Sequence, residues 1–219
     1  AEKARFTQLL ERSKAWIMST RDALEYVGSE VDVFVEIMPG ISIGGRIDRL
    51  EKDEAGNYVI VDLKTSSSSA MPSFRETAKN PQLSAYQLAL SKGKLITDHK
   101  QEVRVVTGDG VEIGMAMLLY PMGRTKAAGT REQPRLDEEQ LQEFQAQLPP
   151  LVEELSGPTV TARPGEHCDF CSLRPVCPAQ GEGEVITNVY CDAHWAQEFR
   201  DRQPAAVVGD IRITLCSDR

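Results

Sequence analysis

Several scarcities limit what this chain can be. Its only histidines are His99, His167 and His194, and no Ser–His–Asp or thiol-protease arrangement stands out among its residues. Its five cysteines all lie after residue 167, which argues against a disulfide framework for a chain long enough to build a large core. No run of eighteen apolar residues occurs and no charged-then-apolar leader opens the sequence, so neither a membrane span nor a secretory signal is expected, and a cytoplasmic location is the default. The pattern G-x-x-x-x-G-K-[ST] is absent, so the chain carries no ATPase motor of that type. No internal repeat is visible. Positive charge is also short: 25 Lys and Arg stand against 33 Asp and Glu, a net charge of −8. That balance does not suggest a free-standing DNA binder, although a cleft can be locally positive.

What is present centres on GRIDRLEKDEAGNYVIVDLKT, residues 45–65. The segment reads as a β-hairpin whose turn, EAGN, is centred near Ala55. Pairing about that centre sets Asp48 opposite Asp62. Side chains two apart on a strand share a face, so Lys64 joins Asp62. Two carboxylates and an ammonium then converge on one patch. Burying them unused would be costly, so a metal ion or a phosphate is the natural partner. Hard oxygen ligands suit Mg²⁺, and the chemistry such a patch suits is metal-assisted phosphodiester hydrolysis. Lys64 is placed to hold an attacking water or neutralise a phosphate oxygen. An ordinary surface hairpin with an Asp–Lys ion pair is the plain alternative.

The surroundings add detail. Asn80 reads as an N-cap with Pro81 in the first helical position, and the helix runs toward Gly93 as a C-cap. Gln82 and Tyr86 are four apart and share a helix face. Upstream, Glu36 sits in the apolar strand VDVFVEIM. The pattern predicts a helix over 6–26, strands over 31–38, 41–50, 58–63, 102–107 and 111–120, and a helix over 137–155. Residues 65–73 and 122–135 read as loops, the second basic. Arg46, Arg49, Arg75, Lys79 and Lys92 cluster near the hairpin in sequence. From residue 181 to 219 the character changes, and an extension with a helix over 192–200 and a strand over 206–215 is expected.

Glu36, GRIDR with Asp48, VDLKT with Asp62 and Lys64, and QLSAY with Gln82 and Tyr86 together resemble the RecB-type branch of the PD-(D/E)xK nucleases. The wording is most similar to the nuclease domains of the AddAB and AdnAB helicase–nucleases, over residues 31–178. The resemblance implies an α/β fold, a restriction-endonuclease-like mixed central sheet flanked by helices, within a domain spanning 1–180. It implies Mg²⁺ (or Mn²⁺) held by Asp48, Asp62 and the Leu63 carbonyl. It makes Lys64 catalytic, has Glu36 assist the metal site, and has Gln82 and Tyr86 support the site and the DNA. The implied activity is DNA cleavage at double-strand breaks for recombinational repair, with a helicase subunit or domain as partner. An iron–sulfur exonuclease of the CRISPR-adaptation type, and a catalytically silent DNA-binding module, are the alternatives.

In the resembled family a C-x₂-C-x₅-C triplet, here Cys168, Cys171 and Cys177, joins one distant upstream cysteine to hold a 4Fe-4S cluster. The cluster staples the C-terminal segment to the start of the domain. This sequence departs from that pattern, since no cysteine precedes Cys168 and no histidine precedes the Glu36 strand. A start downstream of the missing ligands is the simplest account, with residues 1–25 as the helix that follows them. Zinc held by Cys168, Cys171, Cys191 and His194 is the rival metal, and free thiols are a third possibility.

Overall fold

The computed structural model describes residues 2–65, 71–122, 127–156, 164–174, 177, 205–208 and 211–215. A long helix α1 (Glu2–Thr20) leads into the strands β1 (Leu24–Met38), β2 (Ile41–Asp53) and β3 (Tyr58–Leu63). Then come α2 (Phe74–Thr77), α3 (Pro81–Ser91), β4 (Gly93–Thr97), β5 (Val103–Thr107), β6 (Ile113–Tyr120) and β7 (Gly129–Pro134). Helices α4 (Glu138–Ala146) and α5 (Leu148–Ser156), a 3₁₀ turn (Glu166–Phe170) and the strands β8 (Ala205–Val208) and β9 (Ile211–Leu215) complete the described elements. The strands form one mixed sheet in the order β4-β5-β1-β2-β3-β6-β7, with β9 beside β2 and β8 beside β9. The β1–β5 and β3–β6 pairs are parallel.

Periodicity explains the layering. In β3 the run YVIVDL is buried on both faces, as central strands with a parallel neighbour usually are. Ile60 enters the larger core with Leu50, Leu83, Tyr86 and Leu90. Val59 and Val61 face the other way and meet Trp16 of α1, Met117 and Leu119. Full burial of one such aliphatic side chain contributes roughly 1.5–3 kcal/mol. Helix α3 packs across β1, β2, β3 and β6, and every residue from Gln82 to Leu90 is buried. It is therefore an interior helix, not the amphipathic one its spacing suggests.

Elsewhere the structure corrects the expected boundaries. α1 ends at Thr20, and β1 begins at Leu24 rather than at residue 31, because 24–29 pair with the far end of β2. Residues 129–134 form β7 on the sheet edge rather than a loop, paired along β6. Gly93 does not cap α3: Lys92 does, and Gly93 opens β4. The helix expected over 137–155 breaks at Gln147, where Pro149 and Pro150 deny the backbone donors a continuous helix would need. The single strand expected over 206–215 is the β8–β9 pair. The helix expected over 192–200 lies outside the described residues. No helix among the described residues is long and apolar enough to cross a membrane.

Candidate active site

The hairpin turn sets the register on which the site depends. Gly56 takes a left-handed φ of 84°, which costs glycine little. Asp53 Oδ1 accepts from Asn57 N–H at 2.9 Å and its Oδ2 from the Asn57 amide at 3.2 Å. The backbone N–H of Asn57 leads the causes that hold the Asp53 carboxyl below its ordinary range. With the turn so fixed, Arg49 pairs with Val61 and Lys52 with Tyr58. Continuing that register one step sets Asp48 opposite Asp62. Asp48 Oδ2 accepts from Leu63 N–H at 2.6 Å, and its Oδ1 has no partner among the described residues.

Asp62, Lys64 and Gln82 form a closed ring. Asp62 is 3% exposed. Its Oδ2 lies 2.6 Å from Lys64 Nζ, and its Oδ1 accepts from Gln82 Nε2 at 2.7 Å. Gln82 Oε1 accepts from Lys64 Nζ at 2.8 Å. The ring fixes which way the Gln82 amide points, since its NH₂ must face the carboxylate and its oxygen the ammonium. The ammonium is thereby held by an ion pair to Asp62 and a hydrogen bond to Gln82. It can also reach outward, since about a third of the Lys64 side chain is exposed. Tyr86, wholly buried, donates its hydroxyl to the Arg46 carbonyl at 2.5 Å. That bond pins β2 two residues before Asp48.

Other expected residues lie elsewhere. Glu36 is exposed and pairs across the hairpin with Ser42, six residues from Asp48, or roughly 20 Å along a strand at ~3.3 Å per residue. Its Oε1 accepts from Gly40 N–H at 3.2 Å, so it closes the β1–β2 turn instead of joining the ring. Arg46 pairs with Asp32 and Glu30. Arg49 is bound to the buried Glu51 and lies over the Tyr26 ring. Neither guanidinium is therefore offered freely to a polyanion.

Sequence reasoning missed three residues on the site side of the sheet. Asp62, Leu118 and Arg131 are successive cross-strand neighbours on β3, β6 and β7, and such neighbours share a face. Arg131 donates to the Pro72 carbonyl at 2.7 Å and lies over Phe74. Tyr120 is two residues beyond Leu118, and Lys64 N–H donates to the adjacent Leu119 carbonyl. Burial, then the charge of Asp62, pushes the Tyr120 phenol above its ordinary value, with Arg131 opposing. Gln133, two residues along β7 from Arg131, is wholly buried. The parallel β3–β6 pairing and the short β7 were the missing signals, and neither is visible in a local pattern.

The donor set fits a hard divalent cation. Asp48, Asp62 and the Leu63 carbonyl offer only oxygen, and Asp48 has an oxygen to spare. The cysteines do not assemble in the same way. Cys168, Cys171 and Cys177 are free, and Gly165 N–H approaches Cys168 Sγ at 3.2 Å. Among the described residues no three His, Cys, Asp or Glu side chains group closely enough to hold a metal ion. Cys191 and His194, the other half of the zinc alternative, lie outside the described residues.

Comparison with known proteins bears on the family of the chain. No curated protein matches the chain. A crystal structure titled "Crystal structure of SSO0001" is similar at 19% identity, covering 78% of this chain and 68% of that one, with a TM-score of 0.44. The family model of the PD-(D/E)XK nuclease superfamily matches residues 1–178, a span that holds the hairpin, the ring, α3 and the cysteine triplet. The chain belongs to the PD-(D/E)XK nuclease superfamily.

Proposed function

We propose that this chain is a Mg²⁺- or Mn²⁺-dependent deoxyribonuclease of the RecB type, acting on DNA ends at double-strand breaks as the nuclease part of a helicase–nuclease assembly. The closed Asp62–Lys64–Gln82 ring beside Asp48 carries the reading. A silent module has no need to hold a buried carboxylate, an ammonium and an amide in mutual contact, because such groups stabilise less than apolar replacements.

Asp48, Asp62 and the Leu63 carbonyl would hold the ion, which when bound supplies Lewis acidity and lowers the pKa of a coordinated water. The chain's own groups do the rest. Lys64, steadied by Asp62 and Gln82, offers its ammonium to an attacking water or a phosphate oxygen. Gln82 keeps Asp62 from turning away, and Tyr86 keeps β2 in register. Arg131 and Tyr120 flank the ring on the side where a phosphodiester would lie. The net charge of −8 fits a domain that relies on a partner to grip DNA.

Asp62→Asn tests the reading. Cleavage of linear DNA with Mg²⁺ should fall at least ~10³-fold, the scale lost when a transition-state contact is removed, with the circular dichroism spectrum unchanged. Undiminished cleavage by the variant rejects the site. The C-x₂-C-x₅-C spacing supports a separate iron–sulfur centre, which plays no part in this chemistry. Iron and sulfide should co-purify under anaerobic conditions, and stoichiometric zinc would reject the cluster.

A further inference from the structure

Gln133 lies on the edge strand β7, outside the ring, yet it is 0% exposed. Its Nε2 lies 3.1 Å from Ser84 Oγ and 3.2–3.3 Å from the carbonyls of Thr77, Ala78 and Asn80. Two amide protons are thus shared among four acceptors. Its Oε1 accepts from Gln87 Nε2 at 2.9 Å. Gln87, equally buried, also donates to the Pro134 carbonyl at 3.2 Å and accepts from Leu136 N–H at 2.9 Å. Every polar atom of the two amides has a partner. Such a network is kept at a cost in stability unless it fixes something.

What it fixes is the start of α3. Thr77 and its C-cap neighbour Ala78 end α2, with the Thr77 carbonyl also accepting from Asn80 N–H at 2.9 Å, and Asn80 is the N-cap of α3. Gln82 follows two residues later and must reach Asp62 and Lys64 at 2.7 and 2.8 Å. A displacement of the helix start by about 1 Å would open both bonds, and misplacement on that scale can cost ~100-fold in rate. Among the described residues, Gln133 is the side chain whose hydrogen bonds join the α2 end, the α3 cap and the first turn of α3. We infer that Gln133 is a positioning residue for the Asp62–Lys64–Gln82 ring, acting through the N-terminus of α3; this rests on the nuclease reading above.

A double-mutant cycle tests it. Gln133→Met keeps the side chain's shape and removes its hydrogen bonds. Three quantities are read at a temperature where the variants are folded by circular dichroism: kcat, KM for linear DNA, and Mn²⁺ affinity by calorimetry without DNA. The expected result is a fall of about tenfold in kcat with KM unchanged, and severalfold weaker Mn²⁺ binding. In a Gln82→Ala background the same substitution should change both by less than about twofold, because the contact it protects is already gone. Equal losses in the two backgrounds, or a lowered melting temperature with kcat unmoved, overturn the inference. If Gln133→Met does not fold, Gln87→Met enters the same cycle with the same criteria. An unsubstituted chain that neither binds Mn²⁺ nor cleaves DNA sinks the nuclease reading itself. Additive losses in an active, metal-binding chain sink only the role given to Gln133.

Discussion

At the scale of single residues, the site is held by bonds that individually stabilise the fold only modestly. Tyr86 is the clearest case. Its ring is wholly buried and its hydroxyl meets the Arg46 carbonyl at 2.5 Å. Tyr86→Phe keeps the ring and removes that donor, which should cost about 1–2 kcal/mol in urea unfolding. The effect on cleavage should be larger in proportion, because Arg46 is two residues from Asp48 on β2 and the hydroxyl sets that distance from α3. A variant that loses stability but retains full kcat would confine Tyr86 to packing. Asp48, Asp62, Lys64, Gln82 and Tyr86 were legible in the sequence because their spacing is local: a turn centre at Ala55, a step of two on a strand, a step of four on a helix. Glu36 was misplaced for the opposite reason. Its distance from Asp48 is set by the β1–β2 register, and the reading of 31–38 in isolation could not supply it. Gln87 and Gln133 were not legible at all, since a glutamine among polar neighbours carries no sign that it is wholly buried.

At the scale of elements, turns and caps decide where strands and helices stop. Two carboxylates hold such ends. Asp53 closes the β2–β3 turn. Glu76 completes a capping box with Ser73 at the start of α2, and the Ser73 backbone N–H leads the causes that hold its carboxyl low. Both folded values lie below the unfolded ones. Their contribution is therefore full above the ordinary carboxylate range of roughly 4, and it is lost as pH falls through the lower folded values. Urea melts should show stability declining below about pH 4–5, with a shallower decline in Asp53→Asn; an unaltered slope would place the acid sensitivity elsewhere. Gly110 marks another element boundary, with φ of 90° and an added Cβ only 2.3 Å from the Ser91 carbonyl oxygen. Gly110→Ala should cost more than about 1 kcal/mol, and a neutral result would mean that the loop before β6 yields easily. Strands β2 and β3 and helix α3 were readable from such punctuation. Strand β7 was not: TREQ reads as a polar loop, although its Gln133 is wholly buried, and its strand state comes from pairing with β6. The early start of β1 was hidden similarly, in EYVGSE.

At the scale of the whole molecule, the sheet separates two cores that share strands β3 and β6. Ile60 of β3 belongs to the core under α3, while Val59 and Val61 belong to the core under α1. Trp16 anchors the α1 side at 9% exposed. With Asp48 and Leu63 it also lines a cavity of about 350 Å³ between helix and hairpin. Damage on the α1 side should therefore reach the ring through β3 instead of stopping at the helix. Trp16→Ala removes the largest side chain of that core, a change that costs ~3–5 kcal/mol when a buried aromatic is truncated. Far-UV circular dichroism and Mg²⁺-dependent cleavage should then fail together on heating, in one cooperative transition well below that of the unsubstituted chain. If α1 were an independent appendage, the helical signal would be lost first while the sheet and cleavage persisted to the original melting temperature. Coincidence of the two curves thus distinguishes a sheet that binds both cores into one unit from a nuclease core that merely carries α1 on its surface.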